Sequence, residues 1–208
     1  MSFMSLYCFT NNIFSLKKLK LFFVNEQNHT QQSINYKMLT DNEFNHHFKV
    51  ISNKADGNCL FESIEHQLIY SEYEFKHGIT NATKIRKMVG DFYKKFDREF
   101  DYPDDTIEYR IKMGLLFDNM DDEMPHEFNI CNDTVWASMT DLLICSLLFQ
   151  MNIDLYVKRV SFEIDDDDNI DIITNYELTK IESQHNFTKT IKLLYSGENH
   201  FEAIERRF

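Results

Sequence analysis

Apolar and polar positions change their spacing along the chain, and each change marks a predicted element. Phe48-Lys49-Val50-Ile51 predicts a short strand. Asp56-Gly57 predicts a tight reversal, because glycine tolerates positive φ. Leu60, Phe61, Ile64, Leu68 and Ile69 then recur on one helical face, so an amphipathic helix is predicted to start at or just after Cys59. Ile85, Val89, Phe92, Tyr93 and Phe96 predict a second helix over Thr83–Phe100, and Asp104–Leu116 a third. Asn132-Asp133-Thr134 offers N-cap side chains ahead of Trp136 and an apolar helix through Leu142, Leu143, Leu147 and Leu148. Asp154–Val157, Ile170–Ile173 and Thr190–Tyr195 then predict strands, and Ser196-Gly197-Glu198-Asn199 a turn into a last strand, His200–Ile204. Helices first and strands last predict an α+β protein, a small sheet packed against helices.

Residues 1–37 read differently. The stretch from Met4 to Val24 is apolar at both ends but interrupted by Lys17, Lys18 and Lys20. It falls short of the roughly 18 to 20 apolar residues that span a bilayer, and its central lysines do not fit a secretory signal. We expect an N-terminal extension over 1–43, poorly ordered or upstream of a true start at Met38, and one domain over 44–208.

Composition narrows the function classes. A chain of 208 residues, 43% hydrophobic with 19 Phe, supports one packed domain. A net charge of -12 argues against a nucleic-acid partner, since phosphate neutralisation needs clustered Lys and Arg. Cys8, Cys59, Cys131 and Cys145 form no C-x-x-C pair and no zinc spacing, so no metal site is expected and the thiols are expected to be reduced. The Asp165–Asp168 run fails as a calcium loop, with Ile170 where a glycine is needed, and reads as a hairpin tip.

Cys59 and His200 are the candidates for chemistry, beside the plainer readings of a buried core thiol and a histidine at a hairpin end. Cys59 follows a Gly-containing turn at a helix start, where unsatisfied N–H groups and the helix dipole favour a thiolate. The polar loop Lys54–Asn58 ahead of it offers backbone N–H groups to an oxyanion. Of the eight histidines, His29, His46, His47, His66, His77, His126 and His185 sit in polar, terminal, helical or loop-like sequence. His200 opens a strand just past a tight turn, a rigid mount for a general base. Cys131 and Cys145 read as inert.

Ala55-Asp56-Gly57-Asn58-Cys59-Leu60-Phe61 resembles the nucleophile motif of the ovarian-tumour (OTU) family of deubiquitinating cysteine proteases. Asn199-His200-Phe201 looks like its histidine motif, Ile85-Arg86-Lys87-Met88-Val89 like its Leu-Arg helix, and Trp136 with Asp141-Leu142 like its Trp-Gly-Gly segment. The resemblance implies a papain-like fold, with a small, mostly antiparallel sheet packed between helices. It implies Cys59 as nucleophile, His200 as base and then acid, and Asp56 counted with the active site. Asp56, Asn58 and the Cys59 amide are expected to form the oxyanion hole. The third member is expected from Glu202, accepting from imidazole Nδ1, or from Asp56 or Asn199. Trp136 is the candidate wall of a substrate channel. Ala137-Ser138 depart from the family's Gly-Gly. The expected activity is removal of ubiquitin or a ubiquitin-like modifier from lysine side chains by a monomer in the cytoplasm (host cytosol for a viral protein). No cofactor, nucleic acid or membrane is expected. Asp121, Asp122 and Glu123 are candidate contacts for the arginines of a ubiquitin tail. The alternatives are a catalytically silent ubiquitin-binding module and a cysteine protease with a non-ubiquitin substrate.

Overall fold

The computed structural model describes residues 38–70, 81–118, 126–164, 170–183, 185, 187–197 and 200–207. Asn199, Asp121, Asp122, Glu123, the Asp165–Asp168 run, His29, His77, Cys8 and the Met4–Val24 stretch lie outside the described residues.

The strands are β1 (Met38–Thr40), β2 (Phe48–Ile51), β3 (Met151–Ile164), β4 (Ile170–Ile181), β5 (Lys189–Gly197) and β6 (His200–Arg206). The helices are α1 (Asp41–His47), α2 (Cys59–Tyr70), α3 (Ala82–Lys95), α4 (Ile107–Asp118), α5 (His126–Asn129) and α6 (Met139–Phe149). One six-stranded sheet runs in the order β1-β4-β3-β5-β6-β2. Every pairing is antiparallel except β3 with β5. This is an α+β fold.

Alternation along the strands divides the apolar residues between the two faces of the sheet. Ile153, Leu155 and Val157 of β3 join the main core with Leu60, Phe61, Ile64, Val89, Ile111, Leu142 and Ile144 from α2, α3, α4 and α6. Tyr156, Tyr176, Leu194 and Ile204 form a second core with Leu39, Phe44 and Phe48. Phe44 stacks on Tyr176 at 3.8 Å between ring centroids.

Among the described residues, β1 and α1 lie ahead of or across residue 44 and pack on the second core. Thr40 closes a capping box with Glu43, and Phe44 is fully buried. The signal was Thr-x-x-Glu ahead of one aromatic. Helix boundaries also move. Instead of running to Phe100, α3 ends at Lys95, because the Asp97 carboxylate takes the N–H groups of Glu99 and Phe100. Past Pro103, α4 starts at Ile107 with Thr106 Oγ1 accepting from the Tyr109 N–H.

The last helix shows the largest difference. Asn132-Asp133-Thr134 does not cap it. Ser138 does, accepting from Thr140 and Asp141 while Asp141 Oδ2 takes the Ser138 N–H at 2.7 Å. Asp141 is fully buried and also accepts from the Tyr93 hydroxyl at 2.7 Å, with His126 Nε2 at 2.8 Å. Burial and this carboxylate push the Tyr93 phenol well above its ordinary range. Asp141→Ala leaves a buried hydroxyl and a helix-start N–H without partners. It is expected to cost about 3 kcal/mol, read as a lower denaturant midpoint at unchanged slope.

The strands of the predicted acidic hairpin pair antiparallel from Ile153↔Ile181 out to Ile164↔Ile170. Val160, Phe162, Ile164, Ile170 and Ile172 are exposed on it. Among the described residues no helix is long and apolar enough to cross a membrane.

Candidate active site

Cys59 is the first residue of α2. The first helical hydrogen bond runs from Glu62 N–H to the Asn58 carbonyl at 3.0 Å. Gly57, at φ 94, makes the reversal that aims the helix start, which is the conformational demand the sequence suggested. Its second demand is space. A Cβ there meets the Asp133 carbonyl oxygen at 2.7 Å and the Thr134 carbonyl carbon at 3.0 Å. The loop ahead of Cys59 thus presses on the segment that holds Asp133 and Thr134.

Three polar side chains fasten this helix start to the strand that carries His200. Asn53 Nδ2 donates to the Cys59 carbonyl at 2.8 Å, the Phe201 carbonyl at 3.0 Å and Ser63 Oγ at 2.9 Å. Since carbonyls only accept, the amide nitrogen must face them. Ser63 Oγ also donates to the Phe201 carbonyl at 3.1 Å. One helical turn further on, Gln67 bridges two strands, donating to the Ile204 carbonyl at 2.8 Å and accepting from the Lys192 N–H at 3.0 Å. The result brings the sulfur beside β6, where the Phe201 N–H is directed at it.

The electrostatic balance at the thiol is the reverse of the one expected. Burial pushes the Cys59 thiol above its ordinary value, and the charges of Asp56 and Glu62 push the same way. The N–H groups of Phe201 and Leu60 pull it down but do not prevail. Desolvating the charged form outweighs the helix start, because Cys59 has no exposed surface. Cys145, inside α6, is pushed much further up by complete burial, which fits its reading as core. Among the described residues Cys59, Cys131 and Cys145 are in no disulfide.

His200 opens β6 opposite Gly197, whose φ of 96 closes the hairpin. Its Nδ1 is buried and has no hydrogen-bond partner among the described residues. Its Nε2 lies 3.9 Å from Glu202 Oε1 on the same face of the strand. Glu202 therefore flanks Nε2 and not Nδ1, at a distance of charge contact beyond hydrogen bonding. The period of a strand explains this, since residues two apart share a face.

The other described histidines outside α1 have their own work. His66 pairs with Glu205 at 2.9 Å, His126 with Asp141 at 2.8 Å and His185 with Glu108 at 3.1 Å. The exposed Asp56 accepts from the Asn58 N–H at 3.2 Å, so its carboxylate shapes the loop ahead of Cys59. The Asn58 carboxamide oxygen accepts from Arg86 Nε at 3.0 Å. Trp136 is half-buried and packs on the main core.

Sequence reasoning missed Asn53, and it gave Arg86 no role beyond its place in the Leu-Arg resemblance. Arg86 is 1% exposed and carries hydrogen bonds to both loops at the site. A charged residue on the apolar face of a predicted helix, beside Ile85 and Val89, was the available signal. Asn53 sits in polar loop sequence and gives none.

Residues 54–201 match the family model of the OTU-like cysteine proteases. No curated protein matches the chain. Among solved structures, the viral OTU domain protease from Taggert virus is similar at 15% identity, covering 83% of this chain and 86% of its own, with a TM-score of 0.49. The Hazara virus OTU bound to ubiquitin is 14% identical over 88% of this chain and 99% of its own, with a TM-score of 0.45. An OTU deubiquitinase from Wolbachia pipientis bound to ubiquitin is 15% identical over 77% and 96%, with a TM-score of 0.39. With most of the chain inside the matched region, and the motif cysteine and histidine on adjoining elements, this protein belongs to the OTU-like cysteine protease family.

Proposed function

We propose that the protein is a cytosolic isopeptidase that releases ubiquitin or a ubiquitin-like modifier from lysine side chains. Cys59 acts as nucleophile and His200 as general base. The observation that carries the reading is the Asn53 junction, which ties the Cys59 and Phe201 backbones together beside a His200 Nδ1 that has no hydrogen-bond partner among the described residues.

A thiol held neutral by burial needs its base in the same step as attack. His200 Nδ1 takes the Sγ proton as sulfur bonds to the carbonyl carbon of the modifier's terminal glycine. Negative charge collects on the carbonyl oxygen, against the backbone N–H groups at the start of α2. The imidazolium then protonates the departing lysine amine as the C–N bond breaks, leaving a thioester. Water, giving a proton to His200, adds to the thioester and expels the thiol, with the modifier released as a carboxylate. Glu202 steadies the imidazolium from the Nε2 side.

Ubiquitin bearing a C-terminal thiol-reactive group is the first probe. Labelling by the wild type and none by Cys59→Ala is expected. The full burial of Cys59 favours a second reading, a silent binding module whose sulfur stays covered. Binding of ubiquitin without labelling would establish that module. Neither labelling nor binding would turn the search to a non-ubiquitin substrate.

Two further outcomes are expected. For a thiol with a raised pKa, the thiolate fraction keeps growing with pH beyond the ordinary value of 9.0. Alkylation of Cys59 by iodoacetamide should therefore still accelerate above that pH. A plateau near neutrality would instead show a preformed thiolate–imidazolium pair. Glu202→Ala should lower turnover by about tenfold, roughly 1.4 kcal/mol in the barrier. Unchanged turnover would remove Glu202 from the site.

A further inference from the structure

Arg86 is buried where a guanidinium is costly, and its partners explain the placement. On one side, its NH2 donates to the Gly57 carbonyl at 2.6 Å and its Nε to Asn58 Oδ1 at 3.0 Å. On the other, its NH1 donates to the carbonyls of Ile130, Asn132 and Val135 at 2.7, 2.8 and 3.0 Å. Below it lies the Phe61 ring, 4.5 Å from the guanidinium carbon. The nearest carboxylate with which it pairs, Asp133, is 3.8 Å from Nε and largely exposed. The charge is thus solvated mainly by backbone, and that backbone belongs to the two loops that meet at Gly57.

Peptide geometry converts these contacts into a catalytic consequence. A trans peptide points its C=O and N–H in opposite directions. With the Gly57 carbonyl held by Arg86, the Asn58 N–H turns to the other side, where Asp56 Oδ1 accepts it at 3.2 Å. With the Asn58 carbonyl held by the Glu62 N–H, the Cys59 N–H projects out of the helix start. Two successive peptide planes ahead of the sulfur are therefore fixed, and Arg86 fixes the first.

We propose that Arg86 is a positioning residue for acyl transfer, holding the Gly57–Asn58 peptide against the 130–135 segment so that the Cys59 N–H on the next peptide plane stays aimed at the developing oxyanion. The inference rests on the reading of Cys59 as nucleophile. Lysine cannot replace it. A single ammonium has three donors on one atom and cannot reach across both loops as the planar guanidinium fork does.

The test compares two reactions of Cys59 in the full chain. Hydrolysis of p-nitrophenyl acetate passes through an oxyanion; alkylation by iodoacetamide does not. In Arg86→Lys, Cys59-dependent kcat for the ester is expected to fall by about 30-fold or more at similar KM, with the alkylation rate within about threefold of wild type. Equal losses in both reactions, or no loss in either, would overturn the positioning role. Should Arg86→Lys melt below the assay temperature, Phe61→Leu carries the test, because it removes the ring under the guanidinium and none of its acceptors. A fall of about threefold in ester turnover relative to alkylation is then expected, and an unchanged ratio overturns the proposal. Wild-type ester turnover no greater than that of Cys59→Ala would defeat the proposed function itself, and the positioning role with it.

Discussion

His200→Ala is expected to lower isopeptidase turnover by about a thousandfold while the protein stays folded. The activity loss follows from the state of the sulfur. Burial holds Cys59 as a neutral thiol, so attack without a base must either expose a thiolate or expel a proton with nowhere to go. Stability should change little, because among the described residues Nδ1 makes no hydrogen bond and Nε2 only a 3.9 Å charge contact, so truncation orphans no buried partner among them. Alkylation of Cys59 at high pH should persist in the variant, since hydroxide then does what imidazole does at neutrality. A variant that keeps wild-type turnover would show that another group takes the thiol proton. Kinetics on a ubiquitin–lysine conjugate, with a thermal melt beside them, read both effects.

Gly57→Ala should have the second largest effect, and on both activity and stability. Any L side chain at φ 94 is strained, by about 1 to 3 kcal/mol. Its Cβ would also stand 2.7 Å from the Asp133 carbonyl oxygen and 3.0 Å from the Thr134 carbonyl carbon. Those neighbours are backbone atoms, and three carbonyls of the same segment are gripped by Arg86, so the segment cannot yield without loosening the guanidinium. Relief must come from moving the nucleophile loop. A displacement on the order of 1 Å there costs about a hundredfold in rate. Wild-type turnover together with an unchanged denaturant midpoint would refute the close approach of the two loops.

The residues that hold the site together were less legible than the candidate nucleophile and base. Asn53 reaches the Phe201 carbonyl across 148 residues of sequence while holding the Cys59 carbonyl six residues away, and no local pattern announces an amide with that double duty. Ser138 is a clearer case. It stands where the family's second glycine does, and its Ser-x-x-Asp spacing with Asp141 was a capping signal open to reading. The polar run Asn132-Asp133-Thr134 masked it, because cap-forming side chains serve turns equally well. The expected third member shows the limit from the other side. Glu202 was identified from its offset to His200, yet which imidazole nitrogen it flanks depended on the ring's orientation on β6.

The motif around the candidate nucleophile Cys59, its placement at a helix start, the strand that carries His200 and the α+β class were all legible in local pattern. Periodicity and turn chemistry act between neighbours a few residues apart, so a single chain displays them. The protonation state of the sulfur, the junction at Asn53 and the burial of Arg86 between two loops belong to the tertiary structure alone. Each depends on desolvation and on carbonyls contributed from remote parts of the chain, quantities that exist only once the chain has closed around them.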